Sequence, residues 1–202
     1  MAFSDEYREV EAHGNTKLHV IHTNDEKQRA TSLTQYERHL RLQRHKIVGI
    51  DLEYNNELEA TQKTALVQLS LGKTQSVLLF QLSIAKRCAI FDNFLADPRV
   101  PKATKELVYL VDVCGMLIDG YYNNMKKKIT DEEHRHWADL PLSMRHIEYA
   151  TKDAHAAYEI WNHITLTQDG LRSAKLEKEE PPPPPKKRPQ LAEEVDGAGQ
   201  EP

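Results

Sequence analysis

Residues 47–54 read Ile-Val-Gly-Ile-Asp-Leu-Glu-Tyr, an apolar run that leads into two acidic residues separated by one position. Its first half is apolar and favours a buried strand, which then reaches two carboxylates at Asp51 and Glu53. Because side chains two residues apart in a strand point to the same face, these carboxylates should project side by side. Like charges held that close repel each other, and burying either one without a partner is costly.

Two interpretations fit this pair of carboxylates. The first is that the pair marks the end of the strand, where the chain returns to water, since the polar residues Asn55 and Asn56 follow. The second is a site for a divalent cation, because a D-x-E pair at the end of a rigid strand supplies oxygen ligands of the kind that Mg²⁺ binds. Such a site needs a third carboxylate from elsewhere in the chain.

The composition predicts one folded domain and a tail. The chain has 202 residues, which is enough for a single domain of ordinary size. From Ser173 onward it contains five consecutive prolines and many charges but no apolar periodicity. Such a segment cannot bury enough surface to offset its ordering entropy. We therefore predict a folded domain at residues 1–171 and a disordered, Pro-rich charged tail at residues 172–202.

Charge and cysteine content limit the partners and the compartment. A formal net charge of −4 argues against coating nucleic acid by bulk electrostatics but allows a local basic groove. The basic residues 126–128 fit either such a groove or a solvated helix face. No stretch is long enough to span a membrane, and the two cysteines, Cys88 and Cys114, fit a reducing compartment. We expect an intracellular protein, nuclear or cytosolic, because the basic cluster at residues 185–189 fits either nuclear import or a solubilising tail.

Hydrophobic periodicity predicts a small sheet followed by helices. The pattern indicates a hairpin over 8–11 and 17–23, a helix to about Arg44, strands over 46–54, 64–71 and 76–82, and helices over 85–96, 105–118 and from about Leu142 to Thr165. The three consecutive strands have short links, so we predict a three-stranded antiparallel meander headed by the D-x-E strand. The fold class is α+β, or α/β if further strands join the sheet.

The last predicted helix offers the third carboxylate. Tyr149 and Asp153 lie one turn apart on one helical face. One interpretation makes Tyr149 a core aromatic and Asp153 a solvated charge. The alanines at 150, 154, 156 and 157 favour a different one, a helix packed closely on the sheet with Asp153 beside Asp51 and Glu53.

Together these motifs resemble the DEDD superfamily of 3′–5′ exonucleases. The shared features are Asp51-Leu52-Glu53 on a strand before a two-strand meander, and the later Tyr149-Ala-Thr-Lys-Asp153-Ala. The tyrosine in the last motif resembles the tyrosine subtype, and the pattern is similar to the Werner-syndrome-like exonucleases of plants over most of residues 5–165. The resemblance implies a ribonuclease H-like fold.

It also implies a site, a cofactor and a partner. Asp51, Glu53 and Asp153 would be ligands of Mg²⁺ or Mn²⁺, Glu53 would also contact the terminal nucleotide, and Tyr149 would orient the attacking water. In this chemistry two cations stabilise the attacking and leaving oxygens of a phosphodiester. The expected partner is the 3′ end of DNA or RNA, with no membrane partner.

One family motif is missing. The second-motif aspartate should follow residues 94–100 soon, but the chain continues instead into a stretch that matches a later family helix. Asp112 follows an apolar run and is a candidate replacement, although its surroundings match that later helix; Asp97 precedes a proline and is more simply a helix-terminating residue. We therefore expect an incomplete sheet whose bare edge allows self-association. Two hypotheses follow: an exonuclease with weakened activity, or a non-catalytic module that binds nucleic acid or another protein.

Overall fold

The structure is a computed structural model that describes residues 4–12, 16–54, 64–73, 75–82, 89–98, 102–103, 110–125 and 128–179. Within those ranges the strands are β1 Ser4–Glu11, β2 Lys17–Thr23, β3 Val48–Tyr54, β4 Thr64–Ser70, β5 Val77–Gln81 and β6 Lys102–Ala103. The α-helices are α1 Glu26–Leu42, α2 Ala89–Ala96, α3 Leu110–Leu117 and α4 Met144–Glu179. Two 3₁₀ helices, Gly120–Asn124 and Glu133–His136, lie between α3 and α4.

The six strands form one open mixed sheet in the order β1-β2-β5-β4-β3-β6. Strands β1 and β2 are an antiparallel hairpin, and β3, β4 and β5 are an antiparallel meander. Parallel pairing of β2 with β5 joins the two units, and β6 runs parallel to β3. The predicted hairpin, meander and α+β class are confirmed. The sequence did not predict that the hairpin would extend the meander through β5.

Helices cover both faces of the sheet. Alternate residues of the meander separate into two cores, so that Leu66 and Leu79 pack with α4, whereas Val67 and Phe80 pack with α1. Helix α3 joins the α4 core through Cys114, which is fully buried. This alternation is what the period of two along a strand requires when both faces are buried.

The edge of the sheet next to β3 differs from the expectation of a bare edge. Strand β6 pairs there with Val48 and Gly49, so this end of β3 is covered. Within the described residues, no strand pairs with β3 beyond Gly49 on that side. The sheet is therefore incomplete along the part of β3 that carries Asp51 and Glu53.

Helix α4 is longer than predicted, because it continues past Thr165 to Glu179. The extension is attached near the start of β3, where Asp169 lies 2.8 Å from His45 Nε2 and 3.3 Å from Arg44 Nη2. Residues 172–179, which the sequence assigned to the tail, are helical. Residues 180–202 lie outside the described residues, and the domain boundary at 171 stays a prediction.

Gly49 lies at a close approach between β3 and α4. A Cβ atom at this position would lie 2.6 Å from the backbone nitrogen of Tyr158 and closer still to the carbonyl oxygen of Ala154. Both atoms belong to the helix backbone, so they cannot rotate away. The predicted close packing of the alanine-rich helix on the sheet is confirmed, and a glycine on the strand makes it possible.

We expect Gly49→Ala to destabilise the protein by about 2–3 kcal/mol, because the added methyl group forces β3 and α4 apart. The matched control is Gly170→Ala on the exposed part of α4, where an added Cβ meets nothing within 4 Å. That change should stabilise the protein by about 0.5–1 kcal/mol, because alanine favours a helix over glycine. Urea unfolding measures both. Equal stability of Gly49→Ala and wild type would contradict the close approach.

A buried histidine lies on the α4 side of the sheet. His22 is fully buried, and its Nε2 lies 3.2 Å from Oε1 of Gln81, whose amide nitrogen donates to the carbonyl oxygen of Trp137. Burial lowers the pKa of His22 from its ordinary value of 6.5 to about 4, although the hydrogen bond to Gln81 opposes the shift. The folded protein therefore holds His22 neutral at pH values where the unfolded chain takes up a proton.

This predicts a loss of stability in acid. Above pH 6.5 His22 adds no pH dependence to the free energy of unfolding. As pH falls from 6.5 towards 4, proton uptake by His22 in the unfolded chain should lower that free energy by up to about 3 kcal/mol. Urea unfolding at pH 7.5 and pH 5 measures it as the difference between wild type and His22→Asn. The exposed His19 on the same strand provides the control, since His19→Asn should keep the full acid sensitivity. An identical pH dependence for His22→Asn and wild type would contradict the assignment.

Candidate metal centre

Strand β3 carries two buried carboxylates on the face that packs against α4. Asp51 and Glu53 are 5% and 8% exposed, whereas Leu52 between them is 37% exposed. Asp51 faces Gln68 of β4 directly across the antiparallel pair, and Glu53 faces Leu66. The two carboxylates therefore do not mark a return of the strand to water, and the interpretation of the pair as a solvated strand end is wrong.

Helix α4 adds a third carboxylate at the same place. Asp153 is 1% exposed, and it immediately precedes Ala154, whose backbone carbonyl lies against Gly49 of β3. One carboxylate oxygen from each of Asp51, Glu53 and Asp153 lies within 4.8 Å of the others. The interpretation of Asp153 as a solvated charge is therefore also wrong.

Three carboxylates at this spacing form a poor structural core but a suitable cation site. Carboxylates this close repel one another, and burial removes them from water, which is costly for charged groups. A divalent cation removes both penalties, since its charge offsets theirs and their oxygens replace its water ligands. The ligands are all oxygens, which suits Mg²⁺ or Mn²⁺ and lacks the histidine or thiolate ligands that favour zinc. The residues present therefore fit the predicted cation.

Tyr149 lies one helical turn before Asp153 and is half-buried. Its ring packs edge-on against His134 at a centroid distance of 6.1 Å and lies 6.0 Å from the ring of Trp137. Trp137 Nε1 donates a hydrogen bond of 3.2 Å to Nδ1 of His134. Since an indole nitrogen only donates, His134 must accept at Nδ1 and, when neutral, carries its proton on Nε2.

His134 and Trp137, which pack against Tyr149, lie in a segment that was not predicted from the sequence to be near the site. Trp137 is fully buried and packs edge-on against His146 at 4.7 Å. His146 Nε2 lies 2.9 Å from the carbonyl oxygen of Glu133, and the hydroxyl of Ser143 accepts from the backbone nitrogen of His146 in the first turn of α4. A lone tryptophan in an otherwise charged stretch was the available signal for this anchor.

No fourth carboxylate joins the group within the described part of the chain. Helix α2 ends at Ala96, immediately before Asp97, as the helix-terminating interpretation of that residue predicts. Asp112 lies on α3, but its side chain is outside the described part of the structure. Its candidacy as a replacement ligand therefore stays a prediction. Of the predicted basic run, Lys128 is exposed and its carbonyl oxygen accepts from Arg145.

Comparison with known proteins identifies the fold. No protein-family model matches this sequence, and no match was found among curated proteins. Among solved structures, ribonuclease D of Escherichia coli, an exoribonuclease involved in structured RNA processing, aligns with a TM-score of 0.53 at 14% identity over 79% of this chain. This chain shares the fold of ribonuclease D. The predicted ribonuclease H-like fold is thereby confirmed.

Two further structures agree with that result. The catalytic core of RRP6 from Trypanosoma brucei aligns with a TM-score of 0.51 at 11% identity over 77% of this chain, and ribonuclease D of the same organism with 0.50 at 13% over 70%. The alignments cover 50%, 50% and 63% of the three proteins, so this chain spans about half the length of the first two. What these neighbours share with this chain is the fold. The tyrosine subtype and the similarity to Werner-like enzymes stay predictions.

The lengths and apolarity of the helices also test for a membrane span. Over the described ranges, no helix is both long and apolar enough to cross a bilayer.

Neutralising one carboxylate tests the cation site directly. We expect Asp153→Asn to weaken binding of the cation, because the site then loses one of its three anionic oxygen ligands. The same change should remove most of the rise in Tm that millimolar Mn²⁺ gives the wild type. The exposed Glu148 on the same helix provides the control, since Glu148→Gln should change neither quantity. A wild-type Tm that does not respond to Mn²⁺ or Mg²⁺ would contradict the site.

Proposed function

We propose that this chain is a 3′–5′ exonuclease-family protein of the tyrosine subtype that binds nucleic-acid 3′ ends at the Asp51–Glu53–Asp153 site. The observation that carries the proposal is the convergence of three buried carboxylates from β3 and α4. These two elements also hold the matching motifs of the family that the sequence resembles. The ribonuclease D fold supports it, since the E. coli protein with that fold is an exoribonuclease.

The cofactor in this proposal is Mg²⁺ or Mn²⁺, held by the oxygens of Asp51, Glu53 and Asp153. When bound, such cations stabilise charge on the scissile phosphate and lower the pKa of the attacking water. The chain's own groups supply the rest. Glu53 contacts the terminal nucleotide, and the Tyr149 hydroxyl orients the water. His134 and Trp137 restrict the Tyr149 ring, which reduces the cost of placing the hydroxyl.

We propose that the activity is weak, because the carboxylate of the second family motif has no counterpart in the described residues. A two-cation site divides its work between both ions, and one missing ligand weakens mainly one of them. Loss of one preorganised electrostatic group commonly costs on the order of 10²–10³ in rate. The remaining three carboxylates are sufficient to hold one cation and a phosphate.

The missing motif also favours a second candidate function, a non-catalytic module that binds nucleic acid or another protein. Beyond Gly49, no described strand pairs with the outer edge of β3. An edge of this kind presents unpaired backbone groups and allows strand addition or self-association. The proposed compartment is intracellular, either nuclear or cytosolic. Residues 185–189, the basic cluster, lie outside the described part of the chain.

A nuclease assay separates the two functions. The purified full chain is incubated with 5′-labelled single strands of DNA and RNA in Mg²⁺ or Mn²⁺, and shortening from the 3′ end is followed. We expect slow, cation-dependent shortening that Asp51→Asn abolishes and Tyr149→Phe lowers by about 10- to 100-fold, because the phenol acts only in the chemical step.

Controls decide how each result is interpreted. Glu148→Gln should shorten the strand at the wild-type rate, and EDTA should stop it. Rapid turnover that depends on Asp51 would contradict the proposed weakness and would make Asp112→Asn the next variant. Binding of a 3′ end without any shortening would support the non-catalytic module. The absence of both binding and shortening would overturn the exonuclease and the nucleic-acid-binding module, and would leave only a module that binds another protein.

A further inference from the structure

Gln68 occupies an unexpected position for a polar side chain. It lies in the middle of β4, in a run from Ala65 to Leu71 that is otherwise mostly apolar, and it is fully buried. Residues directly opposite each other in an antiparallel pair share a face, and Gln68 is opposite Asp51. Its side chain therefore lies on the same side of the sheet as the three carboxylates.

The amide of Gln68 makes no hydrogen bond within the described part of the protein. Neither its Oε1 nor its Nε2 has a hydrogen-bond partner among the described residues. Gln81, the buried glutamine of the neighbouring strand, shows the contrast, since its Oε1 meets His22 and its Nε2 donates to the carbonyl of Trp137. Burying an amide without hydrogen bonds costs roughly 1–3 kcal/mol, and a methionine of similar size would avoid that cost.

The position of Gln68 places its amide within reach of the carboxylates. Opposite residues in an antiparallel pair have Cβ atoms about 5 Å apart, and the glutamine side chain extends further than the aspartate it faces. A carboxylate that binds a cation through one oxygen presents its other oxygen to a neighbouring donor. A primary amide offers two N–H donors and one carbonyl acceptor, so it suits such a carboxylate.

We propose that Gln68 is a positioning residue of the cation site, whose Nε2 donates to Asp51 when that carboxylate binds Mg²⁺ or Mn²⁺. The proposal rests on the cation site of the proposed function and adds a group that the family motifs do not include. Oε1 remains available to accept from a cation-bound water, several of which Mg²⁺ keeps. The amide that is costly in the cation-free protein thus gains its partners with the cation.

This role and a merely structural one predict different results for Gln68→Met. If Gln68 is merely structural, Gln68→Met should lower stability and leave the cation affinity per folded molecule unchanged. If Gln68 is a positioning residue, the Tm of the cation-free variant should rise or stay equal, because an unpartnered amide is removed. The affinity for Mn²⁺ falls about 10- to 100-fold, as is usual for groups that orient metal ligands.

The experiment measures free Mn²⁺ by electron paramagnetic resonance during titration of the full-length wild type, Gln68→Met, Asp51→Asn and Ser32→Ala. Ser32 is the matched control, because it is buried, its hydroxyl also has no hydrogen-bond partner among the described residues, and it lies on α1 across the sheet. Ser32→Ala should bind Mn²⁺ with the wild-type affinity. Unfolding of each cation-free variant is recorded alongside.

The outcomes separate the two proposals. Wild-type affinity in Gln68→Met, together with loss of binding in Asp51→Asn, would overturn the role of Gln68 and leave the cation site intact. Absence of Asp51-dependent binding in the wild type would overturn the site and the role of Gln68 together. A 10- to 100-fold loss in Gln68→Met with an unchanged or raised Tm supports the role.

A second measurement avoids any question of folding in the variant. The side-chain amide signals of Gln68 are assigned by nuclear magnetic resonance in the wild type and followed as Mg²⁺ is added. We expect them to shift together with the backbone signal of Asp51 and to titrate with the same midpoint. Backbone shifts at Asp51 and Glu53 without a change at the Gln68 amide would overturn the role.

Discussion

The close approach of α4 to β3 at Gly49 is the constraint on which the rest of the structure depends. Where a side chain would keep a helix and a sheet about 10 Å apart, the glycine allows the backbones of Ala154 and Tyr158 to lie directly against the strand. Asp153 precedes Ala154 in the helix, and Asp51 follows Gly49 by two residues in the strand. The contact that packs the domain therefore also sets the distance between the carboxylates.

This coupling explains why an energetically unfavourable group of residues is tolerated. Three ionisable carboxylates and an unpartnered amide lie in a region that is otherwise packed with alanines and leucines. Apolar contacts on both faces of the sheet hold the backbone in place, so the polar groups cannot separate without opening the core. Unfavourable arrangements of this kind are typical of functional sites, where the surrounding fold stabilises an arrangement that the local residues would not adopt.

Much of the site could be predicted from sequence, because its geometry is local. The period of a strand places Asp51 beside Glu53, the period of a helix places Tyr149 above Asp153, and small residues indicate close packing.

Pairing between distant segments could not be predicted in this way, which is why the parallel contact of β2 with β5 and the short β6 were missed. The extension of α4 was missed because its polar residues give a weak periodicity, and its contact with His45 is a long-range one. Gln68 was visible as a polar residue in an apolar strand, but only the register with Asp51 gave it a meaning.

The short pairing between β6 and β3 has a consequence for how the site behaves over time. Residues 50–54 are held laterally by β4, and on the other side no strand of the described chain pairs with them. A strand end secured on one side opens more readily than a central strand, so its amide protons should exchange with solvent faster than those of β4 or β5. A ligand that bridges β3 and α4 would replace the missing lateral support with a link through the side chains. Binding at the carboxylates and local opening of residues 50–54 are then coupled. Any molecule that binds there also slows the opening of this edge of the sheet.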